Sequence, residues 1–197
     1  MGASEARHIS GDITREVAQS LRAGDQVLYS GIVLTARDAA HKRLVETLDA
    51  GQELPIDIDG AIIYYAGPAP AKPGYAIGPV GPTSSYRMDP YAPRLLDLGQ
   101  RAMIGKGARS QEVIDAVIRN EAVYFAAIGG AAALIAQSVK RADVVAYDDL
   151  GTEAIRRLEV VDMPLTVAID CHGGNIYETG PAEYLAYSRK SSLGCKS

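Results

Sequence analysis

Cysteine is scarce in this chain, with only Cys171 and Cys195 among 197 residues. Two thiols are too few for a disulfide scaffold, and they cannot supply a four-cysteine zinc or iron–sulfur site. Cys195 lies in a polar segment, residues 188–197, which we expect to form a C-terminal tail. Cys171 ends an apolar run without a second thiol or carboxylate at ligand spacing, so we expect a core cysteine rather than a nucleophile or metal ligand.

Positive charge and long apolar runs are also lacking. The formal net charge is −4, so no global basic field is present to hold a nucleic-acid backbone. No apolar run approaches the roughly 20 residues that span a bilayer. Residues 1–11, expected to form an N-terminal tail, contain no signal-peptide core. These absences predict no nucleic-acid partner, no membrane span and a cytoplasmic location.

Strand-like and helix-like segments alternate along the chain, which predicts an α/β fold in one domain over residues 12–187. Apolar runs predict strands at 26–35, 61–66, 101–104, 122–128, 142–147 and 165–170, with short strands at 75–77 and 175–177. Periodicity and capping signals predict helices at 36–50, 89–98, 110–119 and 151–160, and a helix opening closely packed at Gly129-Gly130. Residues 67–82 form a loop rich in glycine and proline, and loops of this length tend to be functional.

Three cations stand where predicted strands give way to turns or helix starts. Arg37 lies in T-A-R-D-A-A-H, Arg87 in G-P-T-S-S-Y-R-M-D and Lys106 in I-G-K-G. Arginine presents a planar fork that matches a carboxylate or phosphate, and lysine adds a movable point charge. If the three converge, they form a pocket for a small polyanion.

Each of these residues also has a purely structural interpretation. Thr35 and Asp38 have capping-box spacing, which places Arg37 in the first turn of a helix, where the helix dipole disfavours a cation. An anion bound between that helix terminus and Arg37 would remove the penalty, which favours a ligand over a solvated arginine. His41, one turn later, either orients a ligand or packs in the core.

The loop before Arg87 and the turn around Lys106 are weaker signals. Three hydroxyls and several backbone N–H groups in residues 81–87 suit an oxyanion, and one hydroxyl there can relay a proton, although a plain Ser/Thr-rich turn is the alternative. The G-K-G run lacks the spacing of a Walker motif and carries little weight by itself.

Six runs taken in order carry a stronger signal, because together they resemble the class I fumarase family. They are T-A-R-D-A-A-H-K-R, I-Y-Y-A-G-P, G-P-T-S-S-Y-R-M-D, M-I-G-K-G, G-G-A-A-A-L and D-L-G-T-E-A-I-R-R-L-E-V. The similarity extends from about Asp12 to Tyr187 and is to the C-terminal domain of that family, which forms a separate β subunit in two-component enzymes. One departure is Ser84, where the family usually has a second threonine; the hydroxyl is retained.

The resemblance implies a fold, a reaction and a partner. It implies a swivelling β/β/α domain in the β subunit of a fumarate hydratase, a hydro-lyase that interconverts fumarate and L-malate in the tricarboxylic acid cycle. The [4Fe–4S] cluster would be held by a partner α subunit, in an α2β2 assembly, and not by this chain. Arg37, Arg87 and Lys106 would bind the carboxylates of a small dicarboxylate substrate, and the Thr83 hydroxyl would take part in proton transfer.

Two alternatives stay open from the sequence. The chain is also similar to the β subunit of L(+)-tartrate dehydratase, which performs the same chemistry on a more hydroxylated acid. A non-catalytic dicarboxylate-binding module is the other alternative, although the presence of Thr83, Arg87 and Lys106 argues against decay of the site.

Overall fold

A computed structural model describes residues 5–127 and 132–179, in which strands and helices alternate along the chain. The strands are β1 (Arg7–Ser10), β2 (Gln26–Thr35), β3 (Ile62–Tyr64), β4 (Ala102–Gly105), β5 (Val123–Ala126), β6 (Val139–Ala146) and β7 (Ile155–Ile169). The helices are α1 (Arg15–Ser20), α2 (Asp38–Asp49), α3 (Ala92–Asp97), α4 (Gln111–Arg119) and α5 (Ala132–Ser138), with 3₁₀ segments at Ser85–Met88 and Asp148–Glu153. The α/β class predicted from the sequence is confirmed.

Five of the strands close into a small barrel. Strands β1 to β5 run parallel to one another in chain order. The long strand β7 is antiparallel and pairs with both β2 and β5, which closes a ring of β2, β3, β4, β5 and β7. Strands β1 and β6 extend the sheet outside this ring, on β2 and β7 respectively. The sequence pattern does not predict this closure, because strand order depends on pairings between distant segments.

Two hydrophobic cores lie on the two faces of the barrel wall. Along β3 and into the next residue, Ile62 and Tyr64 belong to the core inside the ring, whereas Ile63 and Tyr65 belong to the core beneath α2, α3 and α4. Both faces of β3, β4 and β5 are therefore covered, and nearly all of their residues are buried. This explains why their sequences are continuous apolar runs rather than alternating ones.

The helix predicted over residues 151–160 is wrong. The segment instead contains the end of the 3₁₀ turn and the start of β7. Ile155, Leu158 and Val160 are buried, and this part of the strand pairs with β2 along one edge and β6 along the other. Helix-favouring residues such as Glu and Arg are overridden because two neighbouring strands satisfy the backbone.

Two short predicted strands also differ from the structure. Residues 75–77 are not a strand, and Tyr75 is largely exposed within the long loop. That loop is tied at its ends by a bridge between Ala66 and Pro82. At the other position only an isolated bridge forms, between Ile169 and Asn175. The predicted helix start at Gly129-Gly130 lies outside the described residues.

The N-terminal region is more structured than its sequence suggests. Strand β1 falls within residues 1–11, and α1 follows without having been predicted. The predicted C-terminal tail, 188–197, lies outside the described residues. None of the described helices is long and apolar enough to cross a membrane.

His41 belongs to the core beneath the helices. Its side chain is fully buried on α2, and its ring packs edge-on against Tyr65 with centroids 5.1 Å apart. Nδ1–H donates to the Arg37 carbonyl (3.1 Å), and Nε2 has no partner among the described residues. Burial is the main cause that lowers the pKa of His41 to about 4, so the ring is neutral at neutral pH. Of the two interpretations of His41, the structure supports the core residue.

We expect His41 to make the fold acid-sensitive. An unfolded histidine binds a proton near pH 6.5 and the folded one near pH 4, so protons favour the unfolded chain between these values. The shift corresponds to about 3 kcal/mol of unfolding free energy, present above pH 6.5 and lost as the pH falls towards 4. Urea denaturation across this range should show a shallower pH dependence in His41→Phe than in the wild type.

His8→Gln is the matched control, because it removes a histidine that is exposed on β1 rather than buried in a core. Equal pH dependence in the wild type and His41→Phe would contradict the assignment.

Candidate active site at the carboxyl ends of the strands

The predicted site residues lie at one end of the barrel, where β2, β3 and β4 end. Arg37 comes two residues after β2, and Lys106 follows β4 directly. The long loop returns to the end of β3, where the Thr83 N–H donates to the Tyr65 carbonyl (2.6 Å), and Arg87 lies in the 3₁₀ segment that follows. The carboxyl ends of parallel strands are where ligands bind in α/β proteins. The structure thus brings all four predicted residues to one edge.

A single carboxylate joins the two arginines. Nε of Arg87 lies 2.7 Å from Oδ1 of Asp38, and Nε of Arg37 donates to Oδ2 of the same side chain (3.4 Å). Asp38 therefore forms an ion pair with each arginine. The convergence expected of Arg37 and Arg87 is present, and an internal anion mediates it.

The N-terminus of α2 differs from its prediction. Thr35 is not the N-cap; it is buried at the end of β2, where its hydroxyl accepts a hydrogen bond from a backbone N–H of β7. Arg37 occupies the N-cap position without a side-chain capping bond. Glu153 supplies the cap instead, because its Oε2 accepts from the Ala39 N–H (2.9 Å). Asp38, expected to complete the cap, pairs with the arginines.

Glu153 fills the place that the sequence assigns to a bound anion. Its Oε1 lies 3.2 Å from Nη2 of Arg37, while Oε2 binds the terminus of α2. Helix N-termini favour anions, so this internal carboxylate offsets the penalty for Arg37 at that position. No sequence pattern singles out Glu153, because it reaches the helix from the distant turn between β6 and β7.

These contacts leave a modest positive charge. Asp38 and Glu153 balance two of the three cations formally. Within residues 5–127 and 132–179, no hydrogen bond involves the terminal nitrogens of Arg87, Nζ of Lys106 or the Thr83 hydroxyl. Those groups are available to a ligand.

A ring of hydrogen bonds holds the turn that carries Lys106. The Lys106 N–H donates to Ser85 Oγ (3.0 Å), and the Tyr124 hydroxyl lies 2.9 Å from both Ser85 Oγ and the Gly107 carbonyl oxygen. A phenol has one hydrogen, so every bond is satisfied when Tyr124 donates to Gly107 and accepts from Ser85. Burial raises the pKa of Tyr124, which keeps the phenol protonated. The Ser85 N–H completes the attachment by donating to the Lys106 carbonyl (2.9 Å).

The glycines of the G-K-G run have a packing reason. A Cβ on Gly105 would collide with Ser85 Oγ, and Gly107 has a φ of +86°, which L side chains rarely adopt. The run is not a phosphate cradle of the Walker type. It allows the backbone of Lys106 to lie directly against the Ser84–Ser85 segment.

A buried ion pair between Arg109 and Asp89 fixes the end of the loop that carries Arg87. The Arg109 side chain is fully buried, and its Nε donates to Oδ1 of Asp89 (2.7 Å). The guanidinium carbon lies 5.2 Å and 5.0 Å from the ring centroids of Tyr65 and Tyr124, within cation–π range. The other oxygen of Asp89 accepts from the Ser110 N–H at the start of α4 (2.8 Å). Although the helix predicted over residues 89–98 begins at Asp89, α3 begins at Ala92, and the Asp89 carboxylate caps α4 instead.

The edge that carries the predicted residues is open. Three cavities of about 590, 570 and 540 Å³ are lined by other residues, and none of the three includes Thr83, Arg37, Arg87 or Lys106. Arg87 and Lys106 are exposed at this edge, so enclosing the site requires a second surface.

The described residues do not fit a metal cluster. No group of three His, Cys, Asp or Glu side chains in this part of the chain is arranged to hold a metal ion. Cys171 is buried, with its sulfur 3.8 Å from the Ala18 carbonyl oxygen, and burial raises the pKa of its thiol. It is a core cysteine, as predicted. Cys195 lies outside the described residues.

Comparison with known proteins supports the family resemblance seen in the sequence. The family model described as Fumarase C-terminus matches residues 3–180. Fumarate hydratase class I, anaerobic, from Escherichia coli (strain K12) is 40% identical over 184 residues, which are 89% of this chain and 34% of that protein. The aerobic class I enzyme of Salmonella typhimurium is 39% identical over 89% of this chain and 32% of its own length. The chain thus spans about a third of these relatives.

A shorter relative is covered almost completely. The putative L(+)-tartrate dehydratase subunit beta of Methanocaldococcus jannaschii is 41% identical over 172 residues, which are 84% of this chain and 88% of that protein. With the family model covering most of the sequence as well, the chain belongs to the fumarase C-terminus family.

Proposed function

We propose that this chain is the β subunit of a hydro-lyase that interconverts fumarate and L-malate, and that it contributes half of the active site. The observation that carries the proposal is the meeting of Arg37 and Arg87 on Asp38, beside the Lys106 turn, at an open edge of the barrel. The activity named for the class I relatives suits this cationic edge, because a C4 dicarboxylate presents two anionic groups.

The unpaired groups of the site suit the charge changes of this reaction. Dehydration of malate removes a proton from the carbon next to one carboxylate and hydroxide from the adjacent carbon, and the two leave as water. Negative charge develops on the carboxylate beside the carbon that loses its proton. Arg87 and Lys106 are placed to stabilise it as fixed donors. The Thr83 hydroxyl is proposed to move the proton, together with an acid from the partner.

The proposed enzyme needs a partner chain. Since the described residues do not fit a metal cluster, the [4Fe–4S] cluster expected from the family would lie on an α subunit that covers the open edge. The α2β2 assembly, the swivelling of this domain and a cytoplasmic location belong to the same proposal. Its support is the exposed edge of the barrel together with the similarity to a relative named as a putative subunit beta.

Tartrate dehydratase is the second candidate function. The chain spans 88% of the relative named as a putative L(+)-tartrate dehydratase subunit beta, which is by its name one subunit of that enzyme. Rates on malate, fumarate and both tartrate enantiomers, measured with the same purified complex, would distinguish the two substrates.

The first prediction concerns the need for two chains. The chain purified alone should be colourless and show no fumarate hydratase activity. Co-expression with a cysteine-rich partner from the same genome should yield a brown complex that hydrates fumarate and loses activity in air. Iron analysis and the absorbance change of fumarate provide the measurements. Substantial activity of the single chain would overturn the proposal, and so would a stable complex that neither hydrates fumarate nor dehydrates malate. A complex that binds malate without turnover would identify a binding module.

The second prediction concerns Arg87. Removing one donor that stabilises transition-state charge typically costs about 2.7–4 kcal/mol, so Arg87→Ala should lower kcat of the complex about 100- to 1,000-fold. Arg119→Ala is the matched control, because Arg119 forms an exposed pair with Asp97 on the helical side of the fold. The control should stay within about twofold of the wild type. Near-normal turnover by Arg87→Ala, with urea denaturation unchanged, would remove Arg87 from the site.

A further inference from the structure

We infer that Asp38 is a positioning residue of this site, which holds Arg87 through Nε so that its terminal nitrogens face the substrate carboxylate. The inference rests on the proposed function and assigns a role to a residue that the sequence places in a helix cap. Asp38 does not itself contact the substrate in this scheme; it acts through the two arginines.

The first argument is geometric. The closest contact between Arg87 and Asp38 is from Nε to Oδ1, at 2.7 Å, on the inner part of the guanidinium. The Arg87 side chain is 43% exposed and that of Asp38 only 27% exposed. A guanidinium held at Nε keeps its two terminal nitrogens as a fork for a second carboxylate. Asp38 therefore restricts the rotation of the Arg87 side chain and leaves its two terminal nitrogens available to a ligand.

The second argument is electrostatic. Two guanidinium groups that contact one carboxylate carry like charge and repel one another. Asp38 contacts both, since Oδ2 accepts from Arg37 Nε at 3.4 Å. It lies in the first turn of α2, where the helix dipole favours an anion. Its charge therefore allows both arginines to occupy the same edge.

The third argument is rigidity. Asp38 is anchored to α2, whose terminus is capped by Glu153. Arg87 lies in a 3₁₀ segment whose neighbours Ser85 and Met88 are buried. Both ends of the ion pair thus stand on fixed backbone, which lets a short carboxylate set the direction of a long side chain.

A competing interpretation makes Asp38 an internal substitute for the substrate, which must leave Arg87 before a dicarboxylate binds. The two interpretations predict opposite effects. Loss of the charge at Asp38 should raise KM if the residue positions Arg87, and should lower KM if it competes.

The experiment uses the complex of this chain with its cysteine-rich partner. Asp38→Asn should lower kcat/KM for fumarate about three- to fivefold, through a higher KM and a lower kcat, because Asp38 acts through Arg87 and a partly exposed ion pair is lost. In the Arg87→Ala background, Asp38→Asn should change kcat/KM for fumarate by less than about twofold, because the residue that Asp38 positions is already missing. Asp38→Glu, which keeps the charge, should recover part of the affinity.

Asp149→Asn is the matched control. Asp149, in the 3₁₀ segment at Asp148–Glu153, forms a bidentate pair with Arg43 of α2, at 2.7 Å and 2.8 Å, outside the proposed site. Its loss should change KM by less than about twofold. Urea denaturation of each variant separates loss of folding from loss of positioning.

A spectroscopic measurement on the isolated chain tests the contact without activity. The Nε–H resonance of Arg87, assigned by its absence in Arg87→Lys, should shift on Asp38→Asn and not on Asp149→Asn. An unshifted resonance would overturn the inference. So would an unchanged or lower KM, or an equal effect of Asp38→Asn with and without Arg87. A wild-type complex without hydratase activity would overturn the proposed function, and with it the role of Asp38, even where the resonance shifts.

Discussion

The buried ion pair between Arg109 and Asp89 is the interaction on which the arrangement of the site depends. The Arg109 guanidinium lies within cation–π range of Tyr65, directly after β3, and of Tyr124, near the start of β5, so one group joins both strands to Asp89 in the loop after Arg87. Breaking a buried pair by removing one partner costs about 3–5 kcal/mol, because the other charge stays buried. A long loop rich in glycine and proline thereby acquires a defined end, and that end carries the hydroxyls and the arginine of the site.

The same edge shows how a cationic site is kept stable before a ligand arrives. Two carboxylates, Asp38 and Glu153, lie among the three cations, and each contacts Arg37. The result is a partly neutralised cluster with a few unpaired donors at its rim rather than a strong positive field. Such a cluster can form on an open surface without excessive repulsion, and it leaves selectivity to the direction of the remaining donors. A second surface at this edge would exclude water and strengthen the electrostatic interaction of those donors with an anionic ligand.

Parts of the fold were predictable because local signals and tertiary contacts agree. The strand predicted at 26–35 is β2 with the same bounds, and the helix predicted at 110–119 differs from α4 by one residue. Residues 151–160 show the opposite case, since a helix-favouring composition is extended between two strands. The capping box at Thr35 and Asp38 fails for a similar reason: Thr35 is drawn into β2, and Glu153 arrives from a distant turn to take over the cap.

The sequence by itself determined the α/β class, the family and the candidate residues Arg37, Thr83, Arg87 and Lys106. These follow from periodicity and from short runs whose order along the chain is specific. Only the tertiary structure decided that β7 closes the barrel, that His41 is a neutral core residue and that Asp38 lies between two arginines. The physical reason is that side-chain charge pairs and strand neighbours join segments far apart in the chain, and no local pattern records which distant partner a residue will meet.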